Sequence, residues 1–112
     1  MSLGYIGYCH KDLEDTQAII YFYSGSNWNN PDNDSNYEKS YDGELFINKT
    51  VLFHADVNQG INSGEIEIIR PCKNRTNFGS IKIDYLAYRL LHKILKHASN
   101  NGTFPESEAF IQ

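Results

Sequence analysis

The segment from Asp84 to Ala98, DYLAYRLLHKILKHA, is the one long run with unambiguous helical periodicity, and it constrains everything around it. Ile83, Ala87, Leu90, Leu91, Ile94 and Ala98 recur at three- and four-residue spacing and share one stripe of a helix, which Leu86 and Leu95 widen. Such a stripe must be covered, and the residues before it read as strands, so a sheet is the expected cover. Asp84 is suited to the N-cap, because its carboxylate can accept from amides two or three residues on. Ser99 to Gly102, SNNG, supplies a left-handed stop, with Lys96 and His97 near the negative helix end.

Upstream, Leu3 to Cys9 reads as a first strand that two glycines mark as an edge, and His10 to Gln17 as a polar connection. Ala18 to Ser24, AIIYFYS, reads as a nearly continuous apolar strand, which implies cover on both faces. Gly25 to Asp42 is dense in Asn, Asp, Ser, Gly and Pro and reads as a long loop, of the kind that is functional or disordered.

Gly43 to Asp56 alternates, with Leu45, Ile47, Val51, Phe53 and Ala55 on one face. Lys49 interrupts that face, so a bend or bulge near Asn48 and Lys49 is expected, with two strands as the alternative to one. Val57 to Gly64 reads as a turn, and Glu65 to Arg70 resumes alternation with Ile66 and Ile68 inward, completing a hairpin. Ile81 to Ile83 is expected to be a short strand. Ala109, Phe110 and Ile111 are expected to form a last helical turn. Strands first and a helix afterwards indicate one α+β domain over 1–112: an antiparallel β-meander of about four or five strands with one principal C-terminal helix packed on one face.

No apolar run reaches the roughly 20 residues that span a bilayer, and no leader pattern opens the chain, so a cytoplasmic protein is expected. Cys9 and Cys72 lie in no paired motif and read as reduced, buried thiols. The formal net charge of −4 conceals an asymmetry. Residues 1–69 hold three Lys/Arg against eleven Asp/Glu, whereas residues 70–98 hold seven against one. Charge separated in this way can steer partners.

Candidate sites follow from residue type and position. Trp28, Asp32, Asp34, Tyr37, Glu38 and Tyr41 place aromatic and acidic side chains in the long loop, a combination suited to binding another, basic protein. Tyrosine is also abundant, with eight residues, too many for all to be buried with satisfied hydroxyls. Arg70, Lys73, Arg75, Arg89, Lys93 and Lys96, with His92, could form a basic patch for phosphates of a nucleic acid. Against that stand the pI of about 5.4 and the lack of an aromatic stacking motif.

His54 and Asp56, with Glu65 and Glu67 across a hairpin, have the donor set of a hydrated divalent cation and so of a small metal-assisted hydrolase. His10 stands among Asp12, Glu14 and Asp15, the ingredients of an acid/base pair. No nucleotide loop, paired-cysteine motif or nucleophile elbow is present, and no cofactor is called for. The leading expectation is a protein-binding module of inhibitor, immunity or adaptor type. A nucleic-acid-binding accessory protein and the hydrolase are the alternatives. A homodimer through the tail or an unpaired edge strand stays open.

Overall fold

The computed structural model describes residues 4–27 and 41–111. Five strands form one antiparallel sheet: β1 (Tyr5–Glu14), β2 (Ala18–Asn27), β3 (Gly43–Asn48), β4 (Ile66–Arg70) and β5 (Ser107–Ile111), in the order β4-β3-β2-β1-β5. The first four are sequential neighbours, although only β1 and β2 are joined by a short turn, and the last strand returns to the far side of β1. Two helices complete the fold, α1 (Val57–Ser63) between β3 and β4 and α2 (Tyr85–Asn101) before β5. This is the expected α+β meander with one principal helix on one face.

The stripe read from the sequence is the buried face of α2. Leu86, Ala87, Leu90, Leu91, Ile94, Leu95 and Ala98 are buried, and Ile83 is half-buried. They meet the inward residues of the strands: Cys9 from β1, Ile19, Tyr21 and Tyr23 from β2, Leu45 and Ile47 from β3, Ile66 from β4, and Phe110 from β5. Fully burying a Leu or Ile side chain contributes about 1.5–3 kcal/mol, so this interface dominates stability. Asp84 caps α2 and Gly102 ends it in the left-handed conformation (φ 77°), both as expected.

Five segments differ from their sequence reading. The polar run after Cys9 does not leave the sheet: β1 continues to Glu14 through a register irregularity between Lys11 and Leu13. Its turn comes later, where the Asp15 carboxylate accepts the amides of Gln17 and Ala18 at 2.7 Å. The long alternating segment stops at Asn48, whose side chain caps a short 3-10 helix, Lys49–Phe53. Val51 stays buried, but Phe53, expected inward, is 90% exposed, because the bend predicted at Lys49 changes the period from two to three.

The segment from Val57, expected to turn, forms α1, capped by Asp56 and stopped by Gly64 at φ 83°. Gly60 lets this helix lie against Ile66 and Val51, since a Cβ there would come within 2.7 Å of Ile66 Cδ1. Ile81 forms only an isolated bridge with Phe78, and the expected helical turn at Ala109–Ile111 is strand β5. The free edge of β1 decides that outcome. Gly7 leaves room over β1 for the Phe110 ring, which a Cβ would strike, and pairing satisfies backbone groups that a lone helical turn would not.

One buried carboxylate ties these layers. Asp84 Oδ1 accepts from the amides of Thr76 (2.8 Å) and Leu86 (3.1 Å), and Oδ2 accepts from the Tyr23 hydroxyl (2.7 Å) and the Cys72 thiol (3.3 Å). Hydrogen bonds to a charged group contribute about 1.5–3 kcal/mol, and orphaning buried donors adds their desolvation cost. Asp84→Ala is therefore expected to lower unfolding free energy by about 3 kcal/mol or more in urea titrations. Asp84→Asn, which retains one acceptor for the cap, should lose less.

Candidate functional site

Three surfaces hold the chemistry-bearing residues. At the end of β3 and the start of β4, the proposed metal donors are brought only partly together. His54 Nε2 lies 2.8 Å from Glu65 Oε1, while His54 Nδ1 accepts the Asp56 amide at 3.0 Å. That amide places the ring proton on Nε2, facing the carboxylate. Glu65 also accepts from the hydroxyls of Ser63 and Thr50, each at 2.7 Å. Asp56 spends Oδ1 on the Gln59 amide as the cap of α1, and Glu67 lies exposed on β4 opposite Phe46. Among the described residues no group of three or more His, Cys, Asp or Glu is placed to hold a metal ion.

The Glu65 cluster is a clasp between the 3-10 helix and the entry to β4. The donor from His54, then those from Thr50 and Ser63, hold the Glu65 carboxyl well below the usual range, at about 2. A depressed folded value means that its contribution is present above the unfolded value of about 4.3 and is lost as pH falls toward 2. Melting temperature is thus expected to drop more steeply between pH 5 and 2 in the native chain than in Glu65→Gln. The difference between the two isolates this carboxyl from Glu14 and Asp15, which are also shifted down.

The six basic residues do not share one patch. Arg70 Nε donates to the Asp42 carbonyl at 2.7 Å, and the Lys73 amide to Asp42 Oδ2 at 2.9 Å, on the β4 side. Arg75 and Lys82 line a cleft beside Ile68 and Asp84. Arg89 and Lys93 lie at the opposite edge: the Arg89 guanidinium is 5.4 Å from the Phe110 ring centroid, and Lys93 Nζ donates to the Ala109 carbonyl at 2.8 Å. In the sheet, β4 and β5 are four strand spacings apart, about 19 Å. Lys96 lines the β5-side groove with Arg89 and Lys93. His92 stacks edge-on with Tyr88, and burial, then Arg89, lowers its pKa.

The third surface is the sheet face away from α2. Register places Ile6, Tyr8 and His10 of β1, Ile20 and Phe22 of β2, and Phe46 of β3 on it. No helix among the described residues packs there; these side chains are half-buried. Tyr41 reaches this face, with its ring 4.3 Å from that of His10 and 5.2 Å from that of Tyr8, and Phe22 completes the cluster 5.8 Å from His10. His10 is thus built into an aromatic group rather than beside an acid. Trp28, Asp32, Asp34, Tyr37 and Glu38 lie outside the described residues. Tyr8 belongs to the abundant tyrosines, whereas Ile20, Phe22 and Phe46 were not singled out in the sequence. Their signal was the AIIYFYS run, apolar on both faces, which asked for a second cover.

The tyrosines divide between roles. Tyr21 and Tyr23 are fully buried with their hydroxyls donating to Pro105 O (2.6 Å) and Asp84, and burial raises both pKa values. Both thiols are free and buried; burial pushes Cys9 up to about 12 and raises Cys72 further, so neither forms a nucleophilic thiolate near neutrality. No described helix is long and apolar enough to cross a membrane. Compared with known proteins, the chain matches no family model, no curated protein and no solved structure.

Proposed function

We propose that this is a small cytoplasmic protein-binding module, of inhibitor, immunity or adaptor type, that engages a partner through the outer face of its sheet and the acidic, aromatic segment that precedes Tyr41 in the sequence. The observation that carries the reading is the aromatic cluster of Tyr8, His10, Phe22 and Tyr41 on a sheet face that no described helix covers. Tyrosine and phenylalanine on a preordered sheet provide contact area at small entropic cost. Glu44 and Glu67 stand on the same face, flanking Phe46 and Phe22, so a basic partner is favoured. Tyr41 follows Trp28, Asp32, Asp34, Tyr37 and Glu38 in the chain, and these acidic and aromatic residues belong to the proposed contact.

Affinity capture from the native cell, washed at low and high salt, identifies the partner. Against that partner, Tyr41→Ala and Trp28→Ala are each expected to weaken binding about 30-fold, the loss typical of an aromatic anchor. Phe46→Lys adds a charge of the partner's own sign and should weaken it further. Unchanged affinity in all three, with circular dichroism showing the fold intact, would remove the proposal.

A further inference from the structure

We propose that the groove between α2 and the free edge of β5 binds an extended acidic peptide as a sixth strand of the sheet. This surface is distinct from the aromatic face, so either proposal can fail alone.

The backbone supplies half of the site. Among the described residues β5 pairs with β1 on one side only and ends the sheet. The Lys11 amide donates to the Glu106 carbonyl, so even-numbered residues here turn toward β1. Strand alternation then directs the amides and carbonyls of Ser107, Ala109 and Ile111 to the free edge. The Lys93 bond to the Ala109 carbonyl is the direct sign of that orientation. This row is a template for an incoming strand, and an edge lysine is a common device for restraining unwanted pairing there.

Side chains supply the other half. The groove encloses about 610 Å³ between the basic side of α2 and β5, with Arg89, Lys93, Lys96 and His97 on the helix wall and Phe110 and Ile111 on the strand wall. Among the described residues that line it, Glu108 is the one carboxylate, and it lies 3.4 Å from His97 Nδ1, so no ion pair between described residues engages Arg89, Lys93 or Lys96. Among ion pairs between described residues, none joins α2 to the acidic first 69 residues.

A strand added about 4.8 Å beyond β5 would alternate its side chains between the two faces. One set would pass beneath Arg89, Lys93 and Lys96, and the other would continue the outer face beside Ile111, which is 80% exposed. The matching peptide carries an acidic residue at every second position and an apolar residue between. On docking, a peptide amide replaces Lys93 at the Ala109 carbonyl, and Lys93 turns to a peptide carboxylate. A nucleic acid could use the cations but has no use for the strand edge.

The test uses a fluorescein-labelled decapeptide of alternating Glu and Val, with alternating Lys-Val and a labelled thymidine decanucleotide as comparisons. The Glu-Val peptide should bind at least about tenfold more tightly than either, and the double variant Lys93→Glu, Lys96→Glu should weaken it at least about tenfold. Ala109→Pro removes an edge amide that β1 does not use, so the fold should persist while peptide binding is lost. Amide exchange at Ser107, Ala109 and Ile111 should slow when peptide is bound. Absence of binding, equal binding of the Lys-Val peptide, or Glu-Val binding that survives Ala109→Pro would overturn the proposal. Tighter binding of the oligonucleotide would overturn it in favour of a nucleic-acid site.

Discussion

The buried carboxylate of Asp84 is the interaction on which the rest of the architecture depends. It receives the Tyr23 hydroxyl from the middle of the sheet, the Cys72 thiol and Thr76 amide from the connection, and the Leu86 amide from the first turn of α2. One side chain therefore sets where the helix begins, at what depth it sits on β2, and how the chain passes from β4 across to it. A carboxyl group can occupy such a position only because its oxygens are filled by donors from three separate segments. Tyr23 is equally committed, since its oxygen also accepts the Cys72 amide at 3.0 Å.

With α2 held in place, the sheet has two unequal faces and two unequal edges. The inner face is consumed by the helix. The outer face keeps an aromatic group around Tyr41, and the β5 edge keeps a row of backbone groups beside helix cations. The acidic side chains nearer the sheet's end are largely answered locally: Lys11 binds Glu14 at 2.7 Å and Glu106 at 3.0 Å, and Lys49 binds Glu14 at 2.7 Å. These are partly exposed pairs of small energetic worth, but they neutralise one end of the molecule and leave the basic groove standing apart from it.

Much of the fold was legible because its signals are local and reinforce one another. The α2 stripe, the Asp84 cap and the Gly102 stop all specify the same helix, and alternation in Leu45–Ile47 and Ile66–Ile68 places those residues inward. The errors fall where a short segment has no strong preference of its own. Residues 57–64 carry turn formers, yet Asp56 caps them and Gly60 fits against Ile66, so packing makes a helix. Ala109–Ile111 is too short to distinguish strand from helix by period, and only the vacant edge of β1 resolves it. For the candidate sites, the sequence set Glu65 across from His54, and the structure brings the two within 2.8 Å, but the sequence linked Arg70 and Arg89 into one patch that the sheet holds apart.

What the sequence alone determined, then, is the kind of molecule this is: a helix that requires a sheet, strands that meet as a meander, and a charge distribution divided along the chain. Periodicity, capping and composition act over a few neighbouring residues, so they can be read without coordinates. Only the tertiary structure decided which strand ends the sheet among the described residues, which cations lie beside it, and which aromatic side chains gather on the face away from α2. Those properties come from pairing between residues far apart in the chain, such as His10 with Phe22 and Gly7 with Phe110, and spacing along a sequence carries no record of that register.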